Sequence, residues 1–117
     1  MEIDPAGFAA DWAAAWNARD LDAVLRHFHE EAVFTSPFAA QIFPETGGRL
    51  AGKPAIRTYW EAGMARLPDL HFTVDAVFAG VECVVIAYTN QKGVKVSEVL
   101  KFDGPLVIEG HGTYPAT

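Results

Sequence analysis

Helical periodicity stops at Pro68, and beyond it the chain follows the two-residue alternation of β-strands, with runs at 70–78, 81–89, 94–102 and 106–114. The breaks between these runs are Ala79-Gly80, Asn90-Gln91-Lys92-Gly93 and Asp103-Gly104-Pro105. None is long enough for a crossover helix, so the four strands are predicted to form an antiparallel meander of hairpins. Helices first and meander second is the signature of an α+β chain, in contrast to alternating βαβ units.

The half before Pro68 carries three helical patterns. Asp4-Pro5 reads as an N-cap with proline at the first helical position, followed by Phe8, Trp12 and Trp16 on one stripe to about Asn17. Asp20 can cap a second helix carrying Leu21, Val24, Leu25 and Phe28 at helical spacing. A short strand at 32–35 closes at Ser36-Pro37, since the residue before proline is pushed to extended geometry. A loop from 38 to 52 follows, and its apolar Ile42-Phe43 suggests that it folds over something. Pro54 then opens a third helix facing Ile56, Tyr59, Trp60, Gly63 and Leu67 inward. The predicted order is ααβαββββ. With 117 residues, half of them hydrophobic, there is material for one core, and residues 1–117 are expected to be one domain.

The net charge is −6 with nine Lys and Arg, which leaves no basic surface for a phosphate backbone or an anionic bilayer, so neither nucleic acid nor membrane is expected as a partner. No apolar run approaches the roughly 20 residues of a spanning helix, and the first residues are acidic where a signal peptide is basic. A cytoplasmic location is the expectation. Cys83, the one cysteine, lies in an apolar run and reads as a small buried hydrophobe; an internal disulfide and a multi-cysteine zinc site are excluded.

Strand alternation assigns faces. Val96, Glu98, Leu100 and Phe102 share one face, opposite Lys95, Ser97, Val99 and Lys101, so Glu98 is the lone charge on an apolar surface. An ionised carboxylate there costs several kcal/mol, roughly, unless it is paired, protonated or open to a wet cavity. In the last strand Leu106, Ile108, Gly110, Gly112 and Tyr114 are grouped, opposite Val107, Glu109, His111 and Thr113; the two glycines leave space for a helix or a ligand. The run at 81–89 is apolar on both faces and reads as a central strand.

Other motifs carry less. Gly47-Gly48-Arg49-Leu50-Ala51-Gly52-Lys53 has the spacing of a nucleotide loop, but Pro54 stands where that loop needs Ser or Thr. His27 and His29 are two apart on the predicted second helix, diverge, and read as surface residues. No metal set and no cofactor motif emerges. His111 can pair with Glu109 on the outer face, and Ser36 lacks the context of a nucleophile elbow.

Four segments together resemble the NTF2-like superfamily, and within it the SnoaL-like branch. They are Trp16-Asn17-Ala18-Arg19-Asp20-Leu21-Asp22, Ala32-Val33-Phe34-Thr35-Ser36-Pro37, Gly52-Lys53-Pro54-Ala55-Ile56-Arg57 and the closing meander. The resemblance implies a cystatin-like cone, three helices on a curved antiparallel sheet, with a deep pocket between them and a homodimer formed through the outer sheet face. Relatives include ketosteroid isomerase, scytalone dehydratase, limonene epoxide hydrolase and polyketide cyclases, along with many proteins that only bind ligands. Carried over from ketosteroid isomerase, the general-base aspartate falls on Ser36, which cannot take a proton from carbon at neutral pH. The oxyanion-hole tyrosine falls on Trp12, its oxyanion-hole acid on Glu98, and its supporting tyrosine on Trp60. The two acids bridged by arginine of the epoxide hydrolase find no inward arginine, and the histidine pair of the dehydratase has only His71 as its nearest candidate.

Two expectations follow. One is an isomerase, lyase or cyclase in which neutral Glu98 is the acid or hydrogen-bond donor. Trp12, Trp16, Ser36, Tyr59, Trp60 and Tyr114 would then hold an apolar or aromatic substrate. The other is a ligand-binding domain of the same fold without chemistry.

Overall fold

Asp4 caps as its place before Pro5 predicts: in the computed structural model, which describes residues 2–117, its carboxylate accepts the Gly7 N–H at 3.2 Å and starts α1 (Pro5–Asn17). Asp20 does the same for α2 (Leu21–Leu25) through the Ala23 N–H at 3.1 Å. The stripe of Phe8, Trp12 and Trp16 is buried. The second helix is shorter than its pattern. Phe28 leaves it to begin β1 (Phe28–Thr35), so His27 sits in the connection and His29 on a strand, both half-buried and neither on a helix.

Ser36-Pro37 ends β1 as expected, yet it also opens α3 (Pro37–Ile42), because the serine side chain accepts the Phe38 N–H and proline occupies the first helical position. The same dipeptide signals a strand end and a helix start. Hence the predicted loop contains α3, a 3₁₀ turn (Pro44–Thr46) and β2 (Arg49–Ala51), and the described residues form four α-helices where three were expected. Gly48, at φ 83°, delivers the chain to β2; a Cβ there would lie 2.8 Å from the Ser36 carbonyl oxygen. Helix α4 (Lys53–Arg66) buries Ile56, Tyr59, Trp60, Gly63 and Met64 and ends before Pro68.

The motif Trp16-Asn17-Ala18-Arg19-Asp20 turns out to be a set of ties. Asn17 exchanges hydrogen bonds with the backbone of Phe72, donating at 2.9 Å and accepting at 2.8 Å. Arg19 donates to the carbonyls of Leu67 and Met64, satisfying the C-terminal end of α4. These bonds clamp α1 to the far end of α4 and to the segment entering the meander.

The remaining strands are β3 (Thr73–Gly80), β4 (Cys83–Thr89), β5 (Lys95–Asp103) and β6 (Leu106–Thr113), and the six form one curved sheet in the order β2-β1-β6-β5-β4-β3. All pairings are antiparallel except β1 with β6, which is parallel. Strands β6 and β5 are therefore central, while β4 is one place from the edge. The first hairpin turns at Val81-Glu82, not at Ala79-Gly80: Gly80 pairs with Cys83, Glu82 takes φ 56°, and Val81 is 92 % exposed. Cys83 is half-buried rather than buried.

Val96, Glu98, Leu100 and Phe102 all face inward as predicted. In β6 the alternation slips. Lys101 pairs with Glu109 but Phe102 with Val107, so Ile108 is an extra residue, and Val107 turns inward in place of Leu106 and Ile108. Gly110 makes room for neighbouring strands rather than for a helix or ligand: a Cβ there would lie 2.9 Å from Phe34 Cδ1 and 3.1 Å from Leu100 Cδ2. Both neighbours are buried and cannot swing away. Gly110→Ala is expected to cost about 1–3 kcal/mol of stability by overpacking, read as a lower urea midpoint at unchanged slope.

Candidate functional site

Helices α1, α3 and α4 and the concave face of the sheet enclose a cavity of about 390 Å³, inside the range of roughly 300–1,000 Å³ typical of small-molecule sites. Its walls are rings. Trp12 stacks on Phe72 at 5.5 Å and meets Tyr88 edge-on at 5.1 Å, while Trp16 meets Trp60 edge-on at 5.1 Å. Tyr59 stacks on Phe34 at 6.2 Å. These contacts use both faces and edges of the rings, so the aromatic wall is stiff.

The polar groups cluster at the inner end. Register places Glu98 opposite Gly112 on β6, and Ser36 follows Thr35, which pairs with His111. Ser36 and Glu98 consequently flank Gly112 from either side: a Cβ on that glycine would lie 3.4 Å from both Ser36 Oγ and Glu98 Oε1. The glycine keeps this row of the sheet open so that the two side chains face one gap. Ser36 Oγ accepts from the Phe38 N–H and from the Tyr59 hydroxyl, each at 3.2 Å, which leaves its own proton to donate within reach of the Tyr114 hydroxyl.

Glu98 is 9 % exposed and has no cationic partner among the described residues. Burial among apolar walls pushes its carboxyl up to about 8, offset in part by the Tyr88 hydroxyl, which donates to it. At neutral pH it is mainly protonated. The phenols of Tyr59, Tyr88 and Tyr114 are raised above their ordinary value, chiefly by burial, so they too stay protonated. The inner end is therefore a network of neutral O–H groups in which Tyr59 and Tyr88 donate to Ser36 and Glu98, which leaves the Glu98 proton to donate to a carbonyl, hydroxyl or developing oxyanion.

Every residue expected at the site lines the cavity: Glu98, Trp12, Trp16, Ser36, Tyr59, Trp60 and Tyr114. Tyr114 does so from beyond the end of β6, 42 % exposed. Tyr88 is the main residue not anticipated. Counting back from the turn at 90–93 pairs it with Val96, on the same face as Glu98, so hairpin register was a usable signal. The mouth residues Gln41, Asn90, Gln91 and Lys92 were also not anticipated, because neither α3 nor a turn advertises what it overhangs. Gln91 Oε1 is buried with no hydrogen-bond partner among the described residues, at a cost of about 1–3 kcal/mol.

Two histidines fall elsewhere. His71 is exposed and lines no part of the cavity. His111 lies on the outer face as expected, between Glu109 at 3.2 Å and the Thr35 hydroxyl at 2.6 Å. Among the described residues no helix is long and apolar enough to cross a membrane.

A curved six-stranded sheet with helices on its concave side and an apolar pocket between them defines the NTF2-like, cystatin-like class of α+β protein. Within that class the chain belongs to the SnoaL-like domain family, whose model matches residues 9–113. A SnoaL-like protein of unknown function from Burkholderia thailandensis is 38 % identical over 96 % of this chain and 94 % of its own, with a TM-score of 0.89. TerC, crystallised with polyporic acid, shares the fold at 14 % identity and TM-score 0.78, covering 96 % of this chain and 92 % of its own. A cystatin-like protein of unknown function from Methylobium petroleophilum does so at 20 % identity and TM-score 0.75, over 100 % of this chain and 81 % of its own. No curated protein matches the sequence significantly.

Proposed function

We propose that the protein binds an apolar, ring-bearing small molecule and presents protonated Glu98 to its carbonyl or hydroxyl oxygen, as hydrogen-bond donor and general acid in isomerase, lyase or cyclase chemistry. The observation that carries this reading is a single carboxyl among the described lining residues, buried without a cation at the inner end of an aromatic cavity, where burial raises its pKa. Trp12, Trp16 and Trp60 serve as walls, Tyr88 orients the carboxyl, and Ser36, Tyr59 and Tyr114 form the hydroxyl network beside it. The small molecule crystallised with TerC accords with a ligand site in this fold.

Binding of 2-acetylnaphthalene, followed by quenching of the three tryptophans, tests the reading. Affinity is expected to fall as pH rises through about 8, where Glu98 loses its proton, whereas Glu98→Gln keeps an N–H donor and binds independently of pH. A flat wild-type profile from pH 6 to pH 10 would sink the proposal.

A second reading, binding without chemistry, is favoured by one observation: among the described residues that line the cavity there is no imidazole and no carboxylate besides Glu98. Deuterium uptake at the acetyl methyl of the probe separates the two. Exchange faster than in buffer marks proton chemistry, and exchange at the buffer rate leaves a binding domain.

The proposal treats the chain as one domain, since helices and sheet share a single buried cluster. It extends to a homodimer through the outer sheet face, supported by the row Phe78, Val85 and Val99, in which Phe78 is 60 % exposed. Sedimentation at micromolar concentration is expected to show a dimer; a monomer counts against it.

A further inference from the structure

Lys92 is the one cation among the described residues that line the cavity, in a chain whose net charge of −6 disfavours anions in general. It sits in the turn between β4 and β5, six residues before Glu98. That turn is tied down. Asn90 Oδ1 accepts from the Lys92 and Val94 N–H groups at 2.9 and 3.1 Å, the Gly93 N–H donates to the Asn90 carbonyl at 3.0 Å, and the Asn90 N–H to the Val94 carbonyl at 2.9 Å. Among the described residues Lys92 enters no ion pair, and neither does Lys101 on the sheet, whereas Lys53 and Lys95 both do. The carboxamides of Gln41, Asn90 and Gln91 line the same mouth.

The cavity thus has two chemically different ends. The neutral carboxyl of Glu98, with the hydroxyls of Tyr88, Ser36 and Tyr59, occupies the inner end, rings the middle, and an ammonium unpaired among the described residues, with amides, the mouth. Lys95, the first residue of β5, and Glu98 are three residues apart along the strand, which sets the turn about 10 Å from the carboxyl's position. We propose that the ligand is an amphipathic ring-bearing acid, with its carbonyl or hydroxyl oxygen toward Glu98 and a carboxylate against Lys92 at the mouth. This rests on the pocket reading above and adds to it the charge and the orientation of the ligand. A carboxylate in that place also offers acceptors to the mouth amides, whose N–H groups are the donors that an anion needs.

The test compares 6-acetyl-2-naphthoate with 2-acetylnaphthalene, on wild-type protein and Lys92→Gln, by tryptophan quenching. Lys92 is exposed, so the variant keeps its fold. At low salt the naphthoate is expected to bind about three- to fivefold more tightly than the neutral ketone, and the advantage to vanish in Lys92→Gln. It also shrinks in about 1 M sodium chloride, where the screening length is about 3 Å. Affinity for 2-acetylnaphthalene stays unchanged in the variant. If the ketone binds but the naphthoate gains nothing, or if Lys92→Gln weakens both probes alike, the carboxylate assignment is overturned while the pocket reading stands. If neither probe quenches, both fall together.

Discussion

Glu98→Gln is expected to gain stability relative to wild type as pH rises from about 4.5 to about 8, by up to about 1.4 kcal/mol per pH unit. Between those limits the folded chain holds a proton on Glu98 that the unfolded chain has released. Unfolding then sheds a proton, so wild-type stability falls with rising pH across the window. Below about 4.5 both states are protonated and the effect is flat. Above about 8 both are ionised and the full burial penalty is present. Glutamine carries no such proton, and the difference between the two proteins isolates this one group from the other carboxylates, whose pH dependence is common to both. Urea midpoints of both proteins at pH 5 and pH 8 measure it, and parallel pH curves would contradict the burial of a neutral acid.

Trp60→Ala is expected to cost about 3–5 kcal/mol, the range for deleting a large buried ring. Trp60 is 5 % exposed and meets Trp16, Phe28 and Phe34 edge-on at 5.1, 5.2 and 5.4 Å, so it joins α1, α4 and β1. Its neighbours are rings from two other elements, α1 and β1, and cannot collapse together into the gap. The same truncation at Val81, inside what the sequence reads as a strand but 92 % exposed, is expected to stay within about 0.5 kcal/mol. Equilibrium unfolding of the two variants checks both figures; similar losses would mean that the packing around Trp60 is misread.

Where local rules act alone, the chain is legible. Asp4 and Asp20 cap the first two helices because each offers an acceptor one turn before free N–H groups. Inward placement of Glu98 follows from alternation, since a strand side chain has only two faces to choose from. Errors arise where one signal serves two structures. Phe28 fits the helical spacing of α2, but it is buried from β1, where Trp60 receives it. Ser36-Pro37 ends a strand and caps a helix at once, so the dipeptide alone does not reveal α3. In β6 a single bulge at Ile108 exchanges the faces of its first residues, and no composition signals that insertion.

The sequence by itself determined the α+β class, the helices-then-meander order, the family, and Glu98 as a carboxyl on an apolar face. Each of these depends on spacing within one segment or on the order of segments. The tertiary structure alone decided that β1 runs parallel beside β6, and with it that Ser36 and Glu98 flank Gly112. It also set Tyr88 against Glu98 and Lys92 at the mouth. Those are relations between strands distant in the chain, and they come from packing one core at one register. The carboxyl was visible in the sequence. Its raised pKa follows from the walls assembled around it, which take it out of water and, among the described residues, leave it without a cation.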